Sequence, residues 1–490
     1  MPAPWCIASQ GRMGMVGKNG ESAGIPADNG LGTEALGHLL LRLALPSILA
    51  QVVNLLYNLV DRVFVGRIPD TGALALAGVG VAFPVIMFIS AFASLVGMGG
   101  APRASMAMGR GDRETAERIL GSALVFLLVT GVLLFVLFFV SRRPLLHFLG
   151  ASSDTIGFAE EYLTVYLFGT LSVQLTLGLN QYVSCQGFAK VAMATVCIGA
   201  ILNIVLDPLF IYCLDMGCKG AALATICSQS VSAVWIFCFF FGRRSILRLR
   251  RAYLRLDRRI LLPVLALGMG PFILQSTECL VPLTLNAGMQ YYGNDAYVSA
   301  MTILFVIAEM LFLPVDGLCQ GAVPIMSYNF GAGNAQRVSG AFRLMAWWAS
   351  ALTFAGTAVV LLFPRPFIAL FTSDTEVVRI SAHGARLYMA GMLFSGIQLA
   401  IQRTFLALGQ AKLAMCVALL RKLVLLIPLA LLLPRMGFGT DGLFVSESVA
   451  DVLSVAASIV LFVFHRRRLF VPASQSVQAE KSCRGDARND

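Results

Sequence analysis

Read against itself, the chain repeats at an offset of 222 residues: Gly111 matches Gly333 (333 − 111 = 222), within GRGD at 109–112 and GAGN at 331–334. Gly187, Ala189, Lys190, Ala192 and Met193 match Gly409, Ala411, Lys412, Ala414 and Met415 at the same offset. Pro102 and Pro324, Ser105 and Ser327, Tyr166 and Tyr388, and Gly169 and Gly391 also fall in line. Pro46 and Pro271 correspond once about three residues are inserted after them. A duplicated chain folds into two like halves, so the first constraint on this fold is internal symmetry.

Hydropathy says where the halves reside. With 58% hydrophobic and 13% charged residues and a mean hydropathy of +0.79, an ordinary soluble domain is excluded. Roughly twenty apolar residues cross a bilayer. Twelve such stretches occur, at about 38–66, 73–99, 118–141, 158–183, 190–213, 219–242, 260–288, 297–325, 340–363, 383–408, 412–434 and 441–465. Six fall in each half. An even number per half inserts both copies the same way up. The expected fold is therefore all-α and integral to the membrane, with twelve transmembrane helices in two six-helix lobes related by a pseudo-two-fold axis along the membrane normal. The divisions expected are a flexible tail at 1–36, a first lobe at 37–242, an Arg-rich linker at 243–259, a second lobe at 260–465 and a second tail at 466–490.

Orientation follows from the arginines. The linker holds Arg243, Arg244, Arg248, Arg250, Arg251, Arg255, Arg258 and Arg259 against one Asp257, and further clusters are Arg103, Arg110, Arg113 and Arg118, and Arg466 to Arg468. All lie on one side in a twelve-crossing count. That side is expected to be cytoplasmic, with both termini, in a plasma or inner membrane. Arg142 and Arg143 break the bias on the other side. Topology thus accounts for the net charge of +11, and no nucleic-acid partner is expected. The eleven cysteines make no metal-binding spacing and read as small apolar fillers, although Cys213 and Cys218 flank an outer loop. The first 36 residues carry no signal-peptide core, and Met13 and Met15 are alternative starts.

A polar or ionisable group at bilayer depth is costly, so each one is a site hypothesis. In the first stretch Gln51, Asn54, Asn58 and Asp61 step by 3, 4 and 3 residues and share one helix face. Asn203 and Asp207 are i, i+4 neighbours in the fifth, followed by Pro208. Thr225, Ser228, Gln229 and Ser232 line one face of the sixth. These faces together offer oxygen ligands suited to a proton or a small cation. Helix-to-helix hydrogen bonding is the competing use of the Ser and Thr stripe.

The second half stores charge differently. Gln275, Glu278 and Asn286 share a face of the seventh stretch, and Thr302, Glu309, Asp316 and Gln320 a face of the eighth. Glu447 and Asp451 are i, i+4 partners in the twelfth, with Arg421 and Lys422 in the eleventh available to neutralise acids. Gln51, Asn54, Asn58, Gln275, Glu278, Glu309 and Asp316 are the substrate-cleft candidates. Pro46 and Pro271, matched in the two halves, are the candidate helix bends.

The same residues resemble the multidrug and toxic compound extrusion (MATE) family, in particular its bacterial MepA-like branch. The resemblance rests on LGHLLLRLALPSILAQVVNLLYNLVDRVFVGR at 36–67, MGRGD at 108–112, ILNIVLDPLFI at 201–211, QGAVPIMSYNFGAGN at 320–334 and ALGQAK at 407–412, and covers about 35–470. It implies a secondary antiporter with two six-helix lobes around a central cleft, exporting bulky, often cationic organic compounds in exchange for protons or sodium ions. The family's first-lobe ion site maps to Asp61, Asn203, Asp207 and Thr225. Glu278, seven residues after Pro271, resembles the second-lobe glutamate of another branch. That branch also has a carboxylate in the tenth stretch, where this chain has Gln398 and Gln402.

The function expected is ion-coupled multidrug efflux by alternating access, with Asp61 and Asp207 taking and releasing the coupling ion. No cofactor beyond that ion and no resident metal is expected. The partners are small lipophilic cations and the lipid bilayer, and the chain works as a monomer. A flippase for a lipid-linked or amphipathic polar substrate is the alternative. Enzyme readings fail for want of motifs: there is no HExxH, no GxSG and no Walker A sequence.

Overall fold

The computed structural model describes residues 29–278 and 280–469. Among them every regular element is a helix. The tails at 1–28 and 470–490, with Met13 and Met15, lie outside the described residues.

Six helices build the first lobe: α1 Leu36–Gly66, α2 Gly72–Gly109, α3 Arg113–Phe148, α4 in two pieces (Ile156–Phe168 and Thr170–Ser184), α5 Ala189–Pro208 continued by a π-helical turn Leu209–Cys213, and α6 Gly217–Phe241. Six build the second: α7 in two pieces (Arg258–Ser276 and Leu280–Tyr292), α8 Asp295–Gly331, α9 Ala335–Leu362, α10 in three (Thr375–Tyr388, Gly391–Phe394 and Ser395–Ala407), α11 Ala411–Leu419 with a π-helical turn Leu420–Leu426 and then Ile427–Leu432, and α12 Gly439–Leu469. Ten of these are long and apolar enough to span a membrane alone, and the pair in α4, bent by 59°, makes an eleventh. The twelfth, α10, is broken into three pieces, each shorter than the roughly twenty residues that cross a bilayer, and its first piece carries Glu376, Arg379, His383 and Arg386. It begins at Thr375, eight residues ahead of the stretch expected at 383–408 (383 − 375 = 8).

The repeat reappears as geometry. Both bent spans break at matched glycines, Gly169 and Gly391. A Cβ on Gly169 would press into Ile226, and one on Gly391 into Ser448, the positions 222 apart (448 − 226 = 222). The turns before α3 and α9 use Gly111 at φ 78° and Gly333 at φ 76°, a conformation that costs glycine least. Each helix that follows is capped by the residue after its glycine. Asp112 accepts from the amide of Thr115 at 2.9 Å, and Asn334 from that of Arg337 at 3.1 Å.

The lobes meet along α2 against α7 and α8 against α1, two contacts exchanged by the pseudo-two-fold axis, while α2 and α8 cross on the axis. The crossing point needs glycine on both sides. A Cβ at Gly109 would strike the Tyr328 carbonyl, and one at Gly331 the Met106 carbonyl. Small residues let helix backbones approach in this way where lipid supplies no hydrophobic drive for association.

Two expected boundaries move. Residues 29–34, expected within a flexible tail at 1–36, are instead held between the lobes at this same end. Leu31 is buried, Asn29 donates to the Gln186 carbonyl of the first lobe at 3.4 Å, and Arg337 of the second donates to the Glu34 carbonyl at 2.7 Å. The last helix continues to Leu469, past the boundary expected at 465. The Arg-rich segment is fastened to the first lobe. Buried Glu117 takes Arg250 at 2.8 Å and Arg113 at 3.1 Å, and the Gln186 carboxamide oxygen accepts from the amides of Ile246 and Leu247 at 2.8 and 2.9 Å. Pro46 and Pro271 sit inside α1 and the first piece of α7, which continue through them as helix. Cys213 and Cys218 are both free thiols.

Candidate functional site

In the first lobe α1, α4, α5 and α6 line a narrow cavity of about 50 Å³, with Asn54, Tyr57, Gly199, Asn203, Thr225 and Gln229 among its residues. Gly199 gives α6 room: a Cβ there would come within 2.8 Å of the Ser232 hydroxyl. Asn203, Asp207 and Thr225 are all buried. The Asn203 amide donates to Asp207 Oδ1 at 3.2 Å and to Thr225 Oγ1 at 3.4 Å, tying α5 to α6. Asp61 on α1 lies within electrostatic reach of Asp207, and Tyr57 and Tyr162 share that neighbourhood.

Four buried oxygens on α1, α5 and α6 have no hydrogen-bond donor among the described residues: Asp61 Oδ1, Asn203 Oδ1, Asp207 Oδ2 and Gln229 Oε1. Buried polar atoms are nearly always partnered, and leaving a carboxylate oxygen bare at membrane depth is costly. No ion pair reaches Asp61 or Asp207 among the described residues. The chemistry of the set is that of hard oxygen ligands able to take a proton or a small cation. Ser228 and Ser232 instead donate to the Ala224 and Thr195 carbonyls at 2.8 and 3.1 Å, and so hold the helices.

The α1 stripe divides between two tasks. Asn54 lines the cavity and Asp61 lies outside its lining, within electrostatic reach of Asp207, whereas Gln51 crosses to the second lobe and donates to Asp316 Oδ2 at 3.3 Å. Exposed Asn58 donates back to the Asn54 carbonyl at 2.8 Å. In the second lobe Asp316 also accepts from Gln320 at 2.7 Å and pairs with Arg403 of α10. Gln275 bridges the lobes by accepting from Ser94 of α2 at 2.5 Å. Glu278 pairs with Lys422 at 2.7 Å, and exposed Glu309 makes no hydrogen bond or ion pair among the described residues. Gln398 donates to Ser454 at 2.5 Å.

Three participants escape sequence reasoning. Tyr57 and Tyr162 pass as apolar filler in hydrophobic runs, and Arg403 sits in a span whose cation has no acid nearby in sequence. A count of intramembrane cations, which includes Arg403, is the signal that finds the last of these.

A scan against family models matches this chain to MatE at residues 46–209 and 272–432, one match per lobe. Among curated proteins it is similar to the multidrug export protein MepA of Staphylococcus saprophyticus, 24% identical over 439 residues covering 90% of this chain and 96% of that protein. The same protein of Staphylococcus aureus is 23% identical with the same coverage. Among solved structures it resembles a MATE transporter in complex with MaD3S (TM-score 0.83, 24% identity, 90% of this chain and 97% of that one). It also resembles an outward-facing multidrug resistance MATE family transporter of the MOP superfamily (TM-score 0.82, 24% identity, 89% and 98%). The twelve-helix, two-lobe fold is shared with these structures, and the matched segments take up well over half of the chain: it belongs to the MatE family, whose members are transporters and not enzymes.

Proposed function

We propose that this chain is a secondary multidrug antiporter that exports amphipathic, mostly cationic organic compounds in exchange for H⁺ or Na⁺. The observation that carries the proposal is the set Asp61, Asn203, Asp207 and Thr225, in which buried oxygens of Asp61, Asn203 and Asp207 have no hydrogen-bond donor and no ion pair among the described residues. The names of the MepA relatives point the same way.

In the mechanism, loading and unloading of the first-lobe oxygens biases two arrangements of the lobes. The α1 helix carries both ends of the coupling: Asp61 faces the ion site, and Gln51, ten residues earlier (61 − 51 = 10), holds Asp316 of the other lobe. An ion that binds one lobe arrangement more tightly than the other shifts the equilibrium by that difference, and the substrate does the reverse. The exposed acid Glu309 offers a cationic substrate its counter-charge, whereas Glu278 is already answered by Lys422. The Arg-rich end is cytoplasmic, with both termini, and the transporter acts as a monomer in the cell membrane.

The test is transport in proteoliposomes of purified protein, with a fluorescent organic cation and separately imposed proton and sodium gradients. Movement driven by one gradient, and lost in Asp207→Asn, is expected. Full transport by Asp207→Asn would overturn the reading. Indifference to both gradients together with movement of a lipid-linked sugar would favour a flippase.

A further inference from the structure

The repeat that relates the lobes also relates their buried polar clusters. At the offset of 222, Glu447 stands where the first lobe has Thr225, Asp451 where it has Gln229, and Arg421 where it has Gly199 (447 − 225 = 451 − 229 = 421 − 199 = 222). All three first-lobe positions line the cavity between α5 and α6. Their second-lobe equivalents touch one another. Arg421 Nε donates to Asp451 Oδ1 at 2.6 Å, and a terminal nitrogen of its guanidinium donates to Glu447 Oε1 at 3.0 Å. Both acids are buried, and the guanidinium carbon lies 5.6 Å from the centre of the Phe312 ring of α8.

We propose that the second lobe holds a built-in cation at the equivalent of the first lobe's cavity between α5 and α6, filled permanently by the protein's own guanidinium, while the positions of Asn203 and Asp207 are taken there by Leu425 and Leu429 (425 − 203 = 429 − 207 = 222). This rests in part on reading the first-lobe cluster as an exchangeable ion site. Where the first lobe has a glycine and open space, the second has a side chain long enough to deliver a cation into the same place. Where the first lobe offers neutral Thr225 and Gln229, the second offers two carboxylates to receive it. An arginine suits a fixed occupant: it stays protonated under all physiological conditions, and its planar fork engages two carboxylates at once. The residue arrives on the π-helical turn Leu420–Leu426, a widened turn of the kind that re-aims side chains at functional positions.

Two consequences follow. Exchange with solution ions is confined to the first lobe, so Glu447 and Asp451 carry no coupling ion although both are buried carboxylates one helical turn apart. The second lobe in turn remains in one packed arrangement while the first alternates. Lys422, next in sequence, does not compete for the site because it is paired with Glu278 at 2.7 Å.

The test is chemical rescue. In Arg421→Gly, which recreates the glycine of the first lobe, the two acids face an emptied space the size of a guanidinium group. Methylguanidinium is the probe, titrated at roughly millimolar concentration into purified protein and read by unfolding temperature and by calorimetry. Saturable binding at least about tenfold tighter than to the wild type is expected, and is lost when Glu447→Gln and Asp451→Asn are added. Equal response of wild type and variant would overturn the proposal. If Arg421→Gly does not accumulate as folded protein, methylguanidinium supplied during expression should restore its yield, and no restoration would overturn the proposal likewise. None of these readouts depends on transport. A failure of the antiport reading in proteoliposomes is therefore distinguishable from a failure here.

Discussion

Asn203 and Asp207 share one buried hydrogen bond, amide nitrogen to carboxylate oxygen at 3.2 Å, and the same amide reaches Thr225 on the neighbouring helix. One residue thereby aligns both other polar members of the candidate ion site on α5 and α6.

Replacing Asn203 with Ala removes that alignment and one bare oxygen ligand. A hydrogen bond to a charged group contributes about 1.5–3 kcal/mol, so the half-saturating concentration of the coupling ion should rise roughly tenfold or more. Ion titration of transport rate in proteoliposomes checks this. An unchanged half-saturation value would remove Asn203 from the site.

The Gly109–Gly331 crossing should behave as a closed seam. Gly331→Val drives a branched side chain into the Met106 carbonyl, and overpacking of this kind costs about 1–3 kcal/mol. The strain is relieved by parting the lobes at the Arg-rich end. Spin labels placed on the loops before α3 and α9 should report a longer distance in the variant, with reduced efflux.

Arg403→Met leaves Asp316 with carboxamide donors only, from Gln51 and Gln320. Breaking a largely buried pair from one side costs about 3–5 kcal/mol, whereas removing both partners costs far less. Arg403→Met should therefore lower the unfolding temperature more than the double variant Arg403→Met with Asp316→Leu. A double-mutant cycle that adds without an interaction term would contradict the pairing.

Glu117 fastens the Arg-rich segment. Glu117→Ala frees Arg250 and Arg113, together with the Arg248 amide at 3.3 Å. The stability of the fold should change little beyond the loss of these charge-assisted bonds. Limited trypsin digestion should cut within 243–259 several times faster than in the wild type.

The two helix caps at the Arg-rich end separate by pH. Hydrogen bonds from the Thr115 hydroxyl and amide hold the Asp112 carboxyl below its usual range, whereas the equivalent Asn334 does not titrate. A carboxyl with a lowered folded-state pKa contributes stability above its unfolded value, about 3.9, and that contribution is lost as pH falls through the folded value. Amide exchange at Thr115, corrected for intrinsic rate, should accelerate in acid, while Arg337 is unaffected. Asp112→Asn should abolish the difference.

Much of this molecule is legible in one dimension because the relevant physics is local. A covalent repeat shows itself as matched residues, and a membrane span as a run of apolar ones. The Asn203–Asp207 pair needs only helical spacing. Gly169 and Gly391, and Gly111 and Gly333, stand out in the sequence as matched glycines, but that the first pair marks breaks in α4 and α10 and the second pair tight turns is decided by the fold. The pairing of charges was legible only in part: Arg421 and Lys422 stood out as cations able to neutralise second-lobe acids, but which acid each one meets did not. Asp316 meets Arg403 from 87 residues away and Gln51 from 265, and Arg421 finds Asp451 across 30. Such partners depend on how each helix is rotated and where it crosses its neighbours, which side-chain packing of the whole bundle sets and no window of sequence contains. For the same reason Gln51 and Asp61, members of one stripe, serve different lobes: α1 runs between both, and only their packing gives each residue its side.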